Sequence, residues 1–140
     1  MKLVYFTLTG NSKKFADKLD KTIVGEPIEL NRNNCEEIEM NEDYILICGS
    51  YNTPHAIYNH VKKFFSNGMN LSRCIGIVGS GNRNLNYEFL TTPKKLCNDF
   101  NLELLMGIEL FGIKNEHIEL NKKLKDLSNS SIINKDLELV

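Results

Sequence analysis

The sequence predicts an α/β protein whose parallel sheet is covered by helices on both faces, and three observations carry that prediction. Short β-branched and aromatic runs alternate with stretches whose apolar residues recur at helical spacing. The run Tyr44 to Cys48 is apolar throughout, as a strand buried on both faces requires. Three of the runs end in loops rich in hydroxyls, glycine or amides, Thr7 to Ser12, Gly49 to Ala56 and Gly79 to Tyr87, each followed by a helical pattern. In a doubly wound sheet such loops gather at the carboxyl ends of the strands, where ligands bind.

The first strand begins the chain. Val4, Tyr5 and Phe6 lead through Thr7 and Leu8 into Thr9-Gly10-Asn11-Ser12, and Phe15, Ala16 and Leu19 then recur at helical spacing, giving strand, tight loop and helix. A helix start leaves N–H groups unpaired and carries positive partial charge, so it holds a phosphate without a lysine. Thr7, Thr9 and Ser12 add hydroxyl donors, and Gly10 lets the backbone approach a ligand closely. A capped helix with no ligand would use Asn11 or Ser12 equally well. The loop has neither the Gly-Lys-Ser/Thr of a nucleoside-triphosphate site nor the spaced glycines of a dinucleotide fingerprint.

Pro27 to Leu30 reads as a second strand, reached through Gly25, and the polar, acidic segment Asn31 to Asp43 as a loop or one poor helical turn. After the third strand, Ile57, Val61, Phe64 and Phe65 form a helical stripe that ends near Gly68. Ile75 to Val78 is the fourth strand, with Gly79-Ser80-Gly81 as the start of a loop. A helix through Leu96 and Phe100 follows, opened by Pro93 with Thr92 as cap. Leu104 to Phe111 is the fifth strand. Ile118, Leu120, Leu124 and Leu127 mark a last helix capped by Asn115. This divides the chain into a domain of residues 1–127 and a Ser- and Asn-rich tail of residues 128–140.

At 140 residues the chain suits one domain that buries roughly two-thirds of its unfolded surface. A net charge of −1 and the lack of a basic stripe argue against nucleic acid as a partner. Cys35, Cys48, Cys74 and Cys97 have no C-x-x-C spacing and no histidine at ligand spacing, so they read as buried free thiols and not as a zinc or redox pair. No apolar run approaches the ~20 residues of a membrane span, and a cytoplasmic location without membrane association is expected.

The third loop, Gly79-Ser80-Gly81-Asn82-Arg83-Asn84, combines glycines with amide and guanidinium donors suited to a polar heterocycle. The middle loop, Ser50-Tyr51-Asn52-Thr53-Pro54-His55, offers an aromatic face. Phosphate end, aromatic wall and donors together suit flavin mononucleotide. The bland reading of the same residues makes Arg83 a surface ion pair, Tyr51 packing and His55 a solvated loop residue.

Thr7 to Ser12 with Phe15, Ala16 and Leu19 resembles the phosphate loop of flavodoxins. Gly79 to Asn84 resembles the signature of the NrdI-type flavodoxin-like proteins that serve class Ib ribonucleotide reductase, and Ile108-Glu109-Leu110-Phe111-Gly112 is similar to that family's last strand. The resemblance implies a flavodoxin-like three-layer α/β/α sandwich with a five-stranded parallel sheet in the order 2-1-3-4-5. It also implies FMN held by Thr7, Leu8, Thr9, Gly10, Asn11 and Ser12, by Ser50, Tyr51, Asn52 and Thr53, and by Gly81, Asn82, Arg83, Asn84 and Leu85. The implied partners are a flavin-reducing protein and the small radical-bearing subunit of the reductase, for whose metal–radical cofactor the reduced flavin and oxygen supply an oxidant. No side chain of this chain is then needed as acid or base.

The chain departs from the family at Leu85 and Asn86, where an aromatic residue and a glycine are usual, in its middle loop, which has no glycine between Ser50 and Ala56, and at Ile113 in place of threonine. Two other functions stay open at this point. An ordinary electron-transfer flavodoxin is usually strongly acidic, which a net charge of −1 does not match. A flavin-free binding module on the same scaffold would suit Leu85 and the glycine-free loop.

Overall fold

Five strands, β1 (Lys2–Phe6), β2 (Ile28–Leu30), β3 (Tyr44–Gly49), β4 (Cys74–Gly81) and β5 (Leu104–Glu109), form one sheet in the order β2-β1-β3-β4-β5. Every neighbouring pair is parallel. This computed structural model describes residues 1–6, 15–49, 56–81, 91–109 and 116–138. The helices are α1 (Lys21–Val24), α2 (Ala56–Phe65), α3 (Thr91–Phe100) and α4 (Glu116–Glu138), with Phe15 and Ala16 also helical.

Strand alternation sends successive side chains into two separate cores. Val4, Phe6, Tyr44, Leu46 and Cys48 pack with Ile57, Val61, Phe64 and Phe65 of α2 and with Leu96 and Cys97 of α3. Leu3, Tyr5, Ile45 and Ile47 face the other way and pack with Phe15, Ala16, Leu19 and Val24, and with Leu120 and Leu124 of α4. The result is the expected three-layer sandwich with the expected strand order.

A bulge shifts the alternation along β4 by one residue while each core keeps its own face. Tyr44 pairs with Cys74 but Ile45 pairs with Gly76, so Ile75 is an extra residue that reverses the alternation. Cys74 and Ile77, three residues apart, therefore share one core. A second irregularity follows: Ile77 pairs with Leu104 and Val78 with Met106, passing over Leu105. Gly76 sits at this bulge, where an added Cβ would lie 2.8 Å from Leu105 Cγ and 2.9 Å from the Glu103 carbonyl oxygen.

The amino edge of the sheet is closed by Asn70, fully buried between β3 and the end of α2. Its Oδ1 accepts from the Met40 N–H at 2.7 Å. Its Nδ2 donates to the Ile38 carbonyl at 2.8 Å and the Phe64 carbonyl at 2.9 Å. Its own carbonyl accepts from the Tyr44 hydroxyl at 2.6 Å. Burial pushes the Tyr44 hydroxyl well above the ordinary phenol range, so it stays a donor.

Several boundaries differ from the sequence reading. Gly79, Ser80 and Gly81 are not loop: they extend β4, pairing with Cys48 and Gly49 on one side and with Gly107, Ile108 and Glu109 on the other. Thr92 lies inside α3 and does not cap it. Pro93 still falls in the first turn, where a missing N–H costs nothing. The first helix stops early: the Lys18 and Leu19 N–H groups bond back to the Phe15 and Ala16 carbonyls, and the Asp20 carboxylate then caps α1 by accepting from the Thr22 N–H at 2.9 Å. Asn31 plays the same part for the turns that follow it, its Oδ1 accepting from the Asn33 and Asn34 N–H groups. The backbone of α4 stays helical through residue 138, across most of the segment read as a tail. The cap assigned to Asn115 lies outside the described residues. All four cysteines are buried and free. Among the described residues no helix is long and apolar enough to cross a membrane.

Candidate functional site

The site is defined by where β1, β3 and β4 end. Phe6 pairs with Cys48 and Cys48 with Gly79, so the three strands finish level within about two residues, each about 5 Å from the next. The winding reverses between β1 and β3: the chain leaves β1 toward β2 on one side, and every later strand is added on the other. The helical residues after β1 lie on one face, and α2 and α3 lie on the opposite face. A crevice at the carboxyl ends follows from right-handed crossovers running in opposite directions. Residues 7–12, 50–53 and 82–85 leave from these three ends. The three segments named from the sequence thus follow adjacent strands whose described ends are level.

Thr7, Leu8, Thr9, Gly10, Asn11, Ser12, Ser50, Tyr51, Asn52, Thr53, Asn82, Arg83, Asn84 and Leu85 lie outside the described residues. Of the residues named for the cofactor, Gly81 alone is described, as the last residue of β4, paired with Glu109. The third loop therefore starts one residue after Gly81 and not at Gly79.

The floor beneath these loops is ordered and apolar. Phe6, Cys48, Gly49 and Gly79 are buried. The Phe6 ring stacks on His60 of α2, with centroids 5.9 Å apart and planes 14° from parallel. His60 Nδ1 lies 3.9 Å from the Cys35 sulfur, which also donates to the Arg32 carbonyl at 3.8 Å. Burial and then the neighbouring Glu36 push the Cys35 thiol up, and burial pushes Cys48 up well beyond the ordinary thiol range. Thiolate, not thiol, is the nucleophile, so these sulfurs act as packing and not as reactive groups. His60 was not singled out by sequence reasoning, and its one visible signal is its position between Ile57 and Val61 on the buried side of α2.

A second arrangement missed from the sequence links α2 to α3. The Tyr58 hydroxyl donates to Asp99 Oδ2 at 2.6 Å, and Lys95 Nζ reaches the same oxygen at 3.1 Å. The Lys95 ammonium stands 4.9 Å from the Tyr58 ring centroid. The i,i+4 spacing of Lys95 and Asp99 was the legible part; the tyrosine from another helix was not.

With fold and crevice in place, comparison with known proteins decides the family. Residues 3–122 match the family described as NrdI Flavodoxin like. The chain belongs to that family. It is 34% identical to Protein NrdI of Mycoplasmoides gallisepticum over 135 residues, covering 92% of this chain and 87% of that one. It is 32% identical to Protein NrdI of Mycoplasma pneumoniae over 120 residues, covering 81% and 76%. Among solved structures, it resembles a short-chain flavodoxin associated with a bacterial microcompartment, with a TM-score of 0.63 at 18% identity, covering 92% of this chain and 96% of that one. Oxidised flavodoxin 2 from Bacillus cereus gives a TM-score of 0.57 at 18% identity, covering 91% and 95%. These two likenesses speak to the flavodoxin fold, and the NrdI family match supplies the finer assignment.

Proposed function

We propose that this chain is the FMN-binding activator of a class Ib ribonucleotide reductase, acting on the small radical-bearing subunit and recharged by a flavin-reducing partner. The observation that supports the reading is the level ending of β1, β3 and β4 at the point where the winding reverses, the ends from which residues 7–12, 50–53 and 82–85 continue. Membership of the NrdI family supports the choice of ligand and partner.

The residues present fit a flavin mononucleotide by the chemistry of their donors. Thr7, Thr9, Asn11 and Ser12 offer neutral hydrogen bonds to a phosphate, as a helix start does, and no buried cation is needed. Ser50 to Thr53 and Gly81 to Leu85 would hold the ring system, with Tyr51 offering an aromatic face. Bound there, the flavin supplies electrons and, with oxygen, the oxidant for assembling the partner's metal–radical cofactor. The chain's own task is to bind, orient and shield, and residues 1–127 carry it.

A visible spectrum tests the reading directly. A purified protein that is colourless and gains no flavin bands on adding FMN overturns it. Thr9→Val is expected to weaken FMN by roughly ten- to more than a hundredfold, the worth of about 1.5–3 kcal/mol for a hydrogen bond to a charged group, and to leave riboflavin nearly unaffected. Equal losses for both ligands would remove the phosphate assignment. The partner is tested by radical yield in a manganese-loaded small subunit, which should exceed the yield with free reduced FMN.

A further inference from the structure

We draw no further inference here: the strongest candidate, the Cys35–His60 side-chain pair between the turns that follow β2 and helix α2, has no third ligand among the described residues to complete a metal site and belongs to the floor of the site already described.

Discussion

The two faces of the sheet are built from different materials. On the α2 and α3 face lie all four cysteines, the ring contacts among Tyr44, Phe64, Phe65, Phe100 and Tyr58, the buried Asn70 and the Tyr58–Asp99 bond. On the other face the core is mostly aliphatic, with Leu3, Ile45, Ile47, Val78, Ile108, Leu120 and Leu124 around Tyr5 and Phe15. Aliphatic packing is tolerant of shape, whereas hydrogen bonds and ring contacts fix direction. The difference teaches where orientation matters. Helices α2 and α3 are held by directional contacts as well as burial, and the face covered by α4 is held chiefly by burial, with Asn121 accepting from the Asp20 N–H and Lys123 donating to the Leu105 carbonyl at its rim.

The largest expected effect breaks the directional face at its keystone. Asn70→Asp keeps the size of the side chain but removes both amide donors, leaving the Ile38 and Phe64 carbonyls without them and setting a carboxylate against carbonyl oxygens. The cost should be about 3–5 kcal/mol of folding stability, read by denaturant unfolding. A loss below about 1 kcal/mol would mean that the network is incidental. Leu124→Met on the opposite face conserves volume and should cost less than about 1.5 kcal/mol in the same measurement.

An intermediate effect is expected at the β4 bulge, where the alternation that feeds both faces shifts by one residue. At Gly76 a methyl group would meet the Leu105 side chain, which can move, and the Glu103 carbonyl, which is fixed by its 2.9 Å bond from the Ile77 N–H. Gly76→Ala should therefore cost about 1–3 kcal/mol through overpacking. Hydrogen exchange should locate the loosening at the β4–β5 pairing and not at β1–β3. Uniform loosening of the sheet would show that the bulge is not a local feature.

The strand order and the division into two cores follow patterns that a linear sequence displays. Continuous apolar runs mark strands buried on both faces, and Phe15, Ile57, Leu96 and Leu120 recur with neighbours at helical spacing. The extra residues at Ile75 and Leu105 were not legible, because a bulge changes pairing without changing the apolar character of either strand. Gly79-Ser80-Gly81 reads as loop by composition, yet it is strand because two neighbours supply its hydrogen bonds, a tertiary effect that overrides local preference. Asp20 and Asn31 each had a capping residue type in view, but the break between Leu19 and Lys21 depends on that cap being used. Asn70 and Tyr58 escaped notice for one reason: each works through a residue at least six positions away, and single-chain spacing reveals only neighbours on the same element. For the site, the sequence named the segments after β1, β3 and β4, and the structure supplied the level strand ends and the Phe6, His60 and Cys35 contacts beside them.

The smallest effect sharpens the comparison by titrating the directional face without changing its packing. The hydrogen bond from Tyr58, and after it the one from Lys95, hold the Asp99 carboxyl below the ordinary carboxylate range. A depressed carboxyl contributes its stabilisation above the pKa it has in the unfolded chain, and that contribution is lost as pH falls through the lower, folded value. The charged Tyr58–Asp99–Lys95 contact should therefore be intact at neutral pH and be lost only in acid, below the range where free carboxylates protonate. Carboxyl NMR titration should give Asp99 a midpoint under the usual value, and Tyr58→Phe should move it upward because the largest cause of the depression is gone. Lys95→Met, which removes both a hydrogen bond and a positive charge, should move it upward too. If Asp99 titrates as an ordinary carboxylate in the wild type, or if Tyr58→Phe leaves its midpoint unchanged, the bond between the helices does not hold the carboxylate, and the directional face ends at its buried ring contacts.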